Sequence, residues 1–249
     1  MSVFSDLGFI TIALITIAAL LTSSVHGATG VAGGFLMTAV LASIIGVKPV
    51  VPVISIALLI SHSSRVFFNS AAFDRSAFLA ITIPAVPCII LTAWGYGKMS
   101  SSFIAVVLGV VVMLSIPLRY WAKSKNIKAG KRTLQGAGVV YGLLSGFSIG
   151  VGVLLSPFML GYGLAKEAFV ATLAAIALTA NITRALVYSS TSQLDTNYIL
   201  LGIFVGVMTI PGNWFGRSYL RKISNEKHAT YVDILTFIGA LNFFWLAWH

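Results

Sequence analysis

A chain of 249 residues in which 58% are hydrophobic and only 9% are charged is too apolar for an ordinary soluble domain. The mean hydropathy is +0.97, and long apolar runs recur along the whole chain. A β-barrel is excluded because runs such as 103–113 show no alternation of apolar and polar residues. The composition therefore predicts an all-α polytopic membrane protein with about eight to ten membrane segments.

The basic residues that give the formal net charge of +10 gather in two short segments. Loops rich in lysine and arginine lie on the cytoplasmic side of a membrane, so we expect both segments there, beside lipid head groups. This distribution argues against nucleic acid as a partner and predicts a multi-pass protein of the cell inner (cytoplasmic) membrane. The two groups are Lys123, Lys125, Lys128, Lys131 and Arg132, and Arg217, Arg221, Lys222 and Lys227.

The first long apolar run, 7–45, is interrupted by the glycine-rich stretch HGATGVAGG, which spans residues 26–34. A helix broken at membrane depth must line a cavity or be buried in protein, because lipid cannot satisfy the backbone groups that the break frees. A half-helix that starts at a glycine presents unpaired N–H groups and the positive end of its dipole, which bind anions. Gly30, Gly33 and Gly34 are therefore candidate substrate-binding residues. The alternative is close helix packing, since Gly30 and Gly34 have the small-xxx-small spacing.

The second half of the chain repeats features of the first half in the same order. We therefore predict one transmembrane domain, 1–249, made of a first repeat, 1–121, a basic cytoplasmic loop, 122–132, and a second repeat, 133–249. The repeated features are a 13-residue step between glycines (Gly33 to Gly46, Gly150 to Gly163), a polar residue three positions before an arginine (His62 and Arg65, Asn181 and Arg184), an aspartate before the next span (Asp74, Asp195), and the segments 87–100 and 211–224.

The loop charges predict that the two repeats are inverted. If each glycine-rich pair is a broken helix pair or a re-entrant hairpin, segment 217–227 is cytoplasmic, and its counterpart around Lys98 lies on the opposite side. Equivalent loops on opposite faces are typical of inverted repeats, the architecture of many secondary transporters. In such transporters, short glycine-interrupted segments at corresponding places in the two halves mark the substrate site.

Arg65 and Arg184 lie near the ends of two of the predicted spans, at corresponding places in the two repeats. A three-residue step places His62 on the same helical face as Arg65, and Asn181 on the same face as Arg184. An intramembrane arginine indicates a functional site, and its fork can bind a sulfonate or carboxylate through two hydrogen bonds. The alternative is snorkelling, in which the arginine reaches the lipid head groups. His62 is also a candidate for proton coupling, with an interhelical hydrogen bond as the alternative.

The remaining candidates come from the second glycine-rich stretch, 146–157, and from the neighbourhood of His62. Gly150 and Gly152 would supply N–H donors, and Ser61 and Ser156 would tune hydrogen bonding to the substrate. The aspartates Asp74 and Asp195 are interpreted as helix starts rather than ion ligands. His26 adjoins the first glycine stretch, with no stronger indication of a role.

The motifs GATGVAGGFLMTAVLASIIGVKP and GLLSGFSIGVGVLLSPFMLGYGLAKEA, each followed by its polar-arginine segment, resemble the sulfite exporter TauE/SafE family of permeases. The resemblance covers 7–248. It implies export or uptake of small oxyanions and organosulfur acids, such as sulfite, sulfoacetate or related carboxylates, across the cytoplasmic membrane without ATP.

We predict a secondary transporter for a small anion, with no catalytic residue, metal or cofactor. The chain contains no HExxH or GxxxxGK[ST] motif, and its four histidines lie on four different segments. The expected partners are the anionic substrate, the lipid bilayer and a coupling ion such as a proton, and a homo-oligomer is compatible with the sequence. An uncoupled anion channel and a non-transporting membrane scaffold are the alternative functions.

Overall fold

The structure is a computed structural model, and it describes residues 8–29, 33–125, 128–164, 166–220 and 225–248. Within these ranges the chain forms ten α-helices and three 3₁₀ turns, with no strand. The α-helices are α1 (Phe9–Thr29), α2 (Gly33–Ile45), α3 (Val47–Asn69), α4 (Arg75–Gly95), α5 (Ser101–Lys125), α6 (Lys131–Ser145), α7 (Ser156–Gly161), α8 (Lys166–Ser190), α9 (Thr196–Leu220) and α10 (Asn225–Trp248). The 3₁₀ turns are Ser70–Ala72, Tyr96–Lys98 and Val151–Leu155.

Six helices of the described chain are long and apolar enough to cross a membrane. Two shorter apolar helices, Gly33–Ile45 and Val151–Gly161, lie next to the two glycine-rich stretches. The prediction of an all-α polytopic membrane protein is confirmed. The six long segments are Phe9–Gly27, Val47–Phe67, Arg75–Lys98, Ser101–Leu118, Ala168–Ser190 and Thr196–Gly216.

The distribution of side chains is that of a protein with lipid around it. Large apolar side chains face outward, such as Ile83 and Leu186, which are each 67% exposed. Lipid can surround such groups, whereas a polar group in lipid must find its partner inside the protein. The interior accordingly holds a set of buried polar and charged side chains, which includes His26, Ser61, His62, Arg65, Ser145, Asn181, Arg184 and Asn213.

Two aspartates start helices, as the sequence predicts. The Oδ1 atom of Asp74 accepts a hydrogen bond of 2.8 Å from the backbone N–H of Ala77, in the first turn of α4. Asp195 does the same for Tyr198 at the start of α9, also at 2.8 Å. Each carboxylate satisfies one of the N–H groups that the first turn of a helix leaves unpaired.

Both glycine-rich stretches interrupt the helical chain. In the first half α1 ends at Thr29 and α2 begins at Gly33, and Gly30 lies outside the described residues. In the second half α6 ends at Ser145, and the non-helical residues 146–150 lead into the 3₁₀ turn 151–155. Gly150 has φ +85°, in the left-handed region that favours glycine.

The basic segments lie partly within helices. Because α5 continues to Lys125 and α6 begins at Lys131, the connection between them is shorter than the predicted loop 122–132. In the second segment Arg217 belongs to α9 and Lys227 to α10. Lys125, Lys131, Arg132, Arg217 and Lys227 therefore belong to the ends of helices, and Arg221 and Lys222 lie outside the described residues.

The principal helix contacts of one half have counterparts in the other half. Helices α1, α3 and α4 of the first half correspond to α6, α8 and α9 of the second half. The contact of α1 with α9 is matched by the contact of α6 with α4, and the contact of α3 with α9 is matched by that of α8 with α4. Helix α3 packs directly on α8, and α5 on α10. The short α2 contacts α10, and the 3₁₀ turn 151–155 contacts α5. This arrangement places the two arginine-bearing helices, α3 and α8, against each other.

Candidate functional site

Arg65 on α3 and Arg184 on α8 are both buried, with exposed fractions of 3% and 4%. Neither guanidinium therefore lies at the lipid-facing surface, so the snorkelling interpretation is wrong for both. His62 contacts Arg65 and lines the same cavity as Arg184, which places the charges of the two halves in one region of the interior. Two buried cations in a membrane protein indicate a functional site.

Arg184 is held by oxygens at the break in the second half. Its Nη1 atom donates to the carbonyl oxygens of Ser145 and Ser148, each at 2.8 Å, and its Nη2 atom donates to Oδ1 of Asn181. Ser145 is the last residue of α6, so the cation lies at the negative end of that helix. The arginine thus satisfies carbonyls that the break leaves without helical partners. Sequence reasoning found Arg184 and Asn181 but not the two serines.

Tyr188, one turn further along α8, holds a third carbonyl of the same break. Its hydroxyl donates to the carbonyl oxygen of Gly146, and its ring is fully buried against Tyr96. The glycine at 146 packs tightly against Thr92 on α4, where a β-carbon would overlap the threonine hydroxyl. The break is therefore an ordered feature with defined partners.

Arg65 is held by two imidazoles. Its Nη1 atom lies 2.8 Å from Nε2 of His26 and 3.3 Å from Nδ1 of His62. A guanidinium can only donate, so both of these ring nitrogens accept, and each histidine carries its proton on the other nitrogen. The rings lie close together, with centroids 5.2 Å apart. We call these three side chains the His–Arg–His cluster.

His26 is the principal residue that sequence reasoning underrated. The separation between His26 and Arg65 is 39 residues, and the separation between Ser145 and Arg184 is also 39. His26 in the first repeat therefore corresponds to Ser145 in the second repeat. Once Ser145 is known to contact Arg184, the repeat predicts that His26 contacts Arg65. Nδ1 of His26 is buried, and no described atom accepts a hydrogen bond from it.

A cavity lies between the two arginine sites. Its empty space, including the opening, is about 450 Å³. Of the predicted site residues it is lined by Gly34, His62, Gly150, Gly152, Asn181 and Arg184. Polar groups that the sequence did not single out also line it, namely His26, Tyr141, Ser145 and Ser148. The described lining contains no aspartate or glutamate.

Four predicted site residues lie elsewhere. Gly33 and Ser61 line a smaller adjoining cavity beside His26, and Arg65 lies behind the two histidines. Ser156 is buried at the start of α7, away from the cavity lining. The remaining predicted residue, Gly30, lies outside the described residues.

The glycines serve different purposes. A β-carbon on Gly33 would overlap His26 and the carbonyl of Thr22, so this glycine permits close packing of α2 on α1, the alternative that the sequence left open. A β-carbon on Gly34 would lie at ordinary distance, 3.5 Å from Leu58, and this glycine faces the cavity. Gly150 combines a left-handed backbone with a site in the lining.

Asn213 on α9 is a further buried polar residue that the sequence analysis missed. Its amide nitrogen donates to Oγ of Ser61 at 2.9 Å, while its Oδ1 atom is buried and receives no hydrogen bond from a described atom. Helix α1 approaches it closely, because a β-carbon on Gly27 would overlap its backbone. Asn213 therefore ties α3 and α9 together next to the His–Arg–His cluster.

A bundle of apolar helices with two glycine-rich breaks, and with a buried cationic and polar cavity between them, is the construction of a membrane transporter. The chain belongs to the sulfite exporter TauE/SafE family, whose family model matches residues 15–243, nearly the whole chain. The resemblance in the two glycine motifs is thereby confirmed. Comparisons with curated proteins and with solved structures found no match.

Proposed function

We propose that this protein is a secondary transporter, a permease or exporter, that moves a small oxyanion such as sulfite, an organosulfonate or a related carboxylate across the cytoplasmic membrane. The proposal rests on the surroundings of Arg184, a buried cation whose hydrogen-bond partners are neutral. Three of the five N–H groups of this buried guanidinium donate to neutral oxygens, which fix its position without neutralising its charge. A fixed cation on the cavity wall is a receptor for an anion.

The two N–H groups that remain on Arg184 suit an oxyanion. One is on Nε, which has no partner among the described atoms, and the other is on Nη2. Two neighbouring donors of a guanidinium can bind two oxygens of a sulfonate, sulfite or carboxylate, which gives both charge and geometric recognition. The absence of a carboxylate in the described lining leaves no competitor for these donors.

The size and polarity of the cavity support a small substrate. The space inside it for the centres of water-sized molecules is about 40 Å³, which is room for a few waters or one small ion. Tyr141, Ser145 and His62 supply further polar groups to the lining. A buried site of this kind strengthens each electrostatic contact with an anion, because the surrounding dielectric constant is low.

We further propose that the two halves are inverted repeats, with the site between them. The exchange of helix contacts supports this: α1 on α9 matches α6 on α4, and α3 on α9 matches α8 on α4. So does the equal spacing of His26 from Arg65 and Ser145 from Arg184. Rocking of one repeat against the other around a fixed site would then give alternating access, and the exposed Lys128, Lys131 and Arg132 would face the cytoplasm.

Ligand-induced stabilisation of the purified protein tests the anion proposal. Sulfite, sulfate, thiosulfate, taurine, sulfoacetate and simple carboxylates are each added to the protein in detergent, with their counter-cations as chloride salts for comparison. A ligand present at 100 times its Kd stabilises the folded state by about 2.7 kcal/mol, so a bound anion raises Tm. A response to cations alone would contradict an anion site.

Flux through proteoliposomes separates a coupled transporter from an uncoupled channel. The anion that gives the largest rise in Tm is loaded inside, and its efflux is followed with and without a pH gradient at a clamped membrane potential. We expect a coupled transporter to respond to the gradient. Flux that depends on membrane potential alone would instead assign the chain to the channel class.

A further inference from the structure

The two arginine sites have equivalent positions but different partners. In the second half Arg184 is held by two backbone carbonyls and an amide oxygen, none of which binds a proton near neutral pH. In the first half Arg65 is held by the two imidazoles of His26 and His62. His62 and Asn181 correspond, since each lies three residues before its arginine. The arginine of the first half therefore has partners that can bind a proton near neutral pH, and the arginine of the second half has partners that cannot.

We propose that the His–Arg–His cluster is a proton-binding site coupled to anion binding in the cavity, an inference that rests on the proposed transport function. The cluster takes up one proton when an anion binds and gives it back when the anion leaves. The coupling ion is then the proton, and the exchangeable group is an imidazole nitrogen that now accepts from Arg65.

The proton step follows from the hydrogen bonds. Nε2 of His26 and Nδ1 of His62 each accept from Nη1 of Arg65, at 2.8 and 3.3 Å. A proton that binds to either nitrogen occupies the lone pair used by that hydrogen bond, so the hydrogen bond breaks and one Nη1–H of Arg65 is released. The new imidazolium has N–H groups at both ring nitrogens. Protonation thus places a positive charge on a histidine that lines the cavity, with no group other than the proton gained.

The electrostatics make the proton and the anion depend on each other. A protonated histidine in this cluster is buried beside the cations Arg65 and Arg184, which repel it. An anion in the cavity offsets that repulsion, so it favours protonation, and by linkage the proton strengthens anion binding equally. The second histidine stays neutral, because two imidazoliums with ring centroids 5.2 Å apart would repel each other.

The described residues that line the two cavities beside the cluster include no aspartate or glutamate. Helix α6 contributes the neutral phenol of Tyr141, and α8 contributes Arg184. No described residue of α5 or α10 lines either cavity beside the histidines. The residues of α2 and α9 at these cavities are Gly33, Gly34, Met37, Val205 and Thr209, together with the neighbouring Asn213, and none of them titrates near neutral pH.

Proton uptake on anion binding tests the inference directly. Sulfate, thiosulfate and methanesulfonate are used as probes because they are anions of strong acids, so any proton taken up near neutral pH goes to the protein. The heat of binding is measured in two buffers with different ionisation enthalpies, and the difference gives the number of protons exchanged. We expect about one proton taken up per anion, and a Kd that rises up to about tenfold per pH unit above neutrality.

Three variants assign the proton to the cluster. His62→Asn copies the fixed second-half site, and His26→Asn/His62→Asn replaces both imidazoles with amides, which can accept a hydrogen bond but cannot take up a proton. We expect the double variant to bind the probe anion with proton uptake near zero. His228→Asn, the same substitution on α10, is the matched control and should keep the wild-type uptake.

The outcomes separate this inference from the proposed function. Anion binding by the wild type without proton uptake would overturn the proton site and leave the anion site intact. Unchanged uptake in the double variant would also overturn it, because the proton would then bind elsewhere. A wild-type protein that is folded and binds none of the anions overturns the proposed function, and the inference falls with it. The wild-type measurements decide the question even if the double variant does not fold.

Discussion

Replacing Arg184 with lysine tests whether the planar guanidinium is needed in addition to its positive charge. Lysine keeps the positive charge but offers its three donors from one nitrogen, without the planar fork. The guanidinium now bonds to the carbonyls of Ser145 and Ser148 and to Asn181, and an ammonium in its place can be expected to keep about one of these three hydrogen bonds.

The magnitude follows from the loss of the other two hydrogen bonds. Hydrogen bonds to a charged group contribute about 1.5–3 kcal/mol each, so two of them amount to about 3–6 kcal/mol. Water in the adjoining cavity can satisfy part of this loss, and we expect the free energy of unfolding of Arg184→Lys to fall by about 2–4 kcal/mol. Without the two-pronged guanidinium, anion binding should also weaken by at least about 1.4 kcal/mol, a factor of ten in Kd.

The assay is denaturation in detergent micelles followed by circular dichroism, combined with calorimetric titration of the best anion from the screen. The control is Arg132→Lys, at an exposed position in the first turn of α6, which should change the free energy of unfolding by less than about 0.5 kcal/mol. If Arg184→Lys matches this control in both stability and affinity, the guanidinium fork has neither of the roles assigned to it.

Three further predictions concern the glycine breaks and are read as changes in Tm and in the free energy of unfolding. Gly33→Ala should destabilise by about 1–3 kcal/mol because its methyl group would overlap the backbone of α1, whereas Gly34→Ala, with 3.5 Å to Leu58, should be nearly neutral. Gly150→Ala should cost about 1–2 kcal/mol for its left-handed backbone, and equal effects of Gly150→Ala and Gly152→Ala would contradict this. Tyr188→Phe removes the donor to a buried carbonyl and should cost about 1–3 kcal/mol, and no loss would show that the carbonyl has another partner.

The sequence predicts the membrane fold well because lipid imposes strong rules on composition. Apolar length identifies the spans, and the two helix-starting aspartates follow from simple capping chemistry. Arg65 and Arg184 are found because a charge in an apolar run is rare. Their burial could not be read from the sequence, since a snorkelling arginine has the same neighbours along the chain.

The partners of the arginines are harder to predict, because each contact joins segments 39 residues apart. His26 lies beside a glycine stretch, and its hydrogen bond to Arg65 depends on how α1 packs against α3. The carbonyls of Ser145 and Ser148 have no side-chain signal at all. A backbone carbonyl at a break can bind a side chain whatever residue it belongs to, so the pattern of residue types does not show which carbonyls will do so.

The break at 146–150 also bears on how the molecule can move. A hinge needs backbone groups that change partners at little cost, but here the carbonyls of Ser145, Gly146 and Ser148 are all bonded to side chains of α8. Bending at this point would separate a buried charge from its acceptors. These hydrogen bonds tie α6 to α8, so the discontinuity in the helical chain is a fixed joint between two helices rather than a hinge.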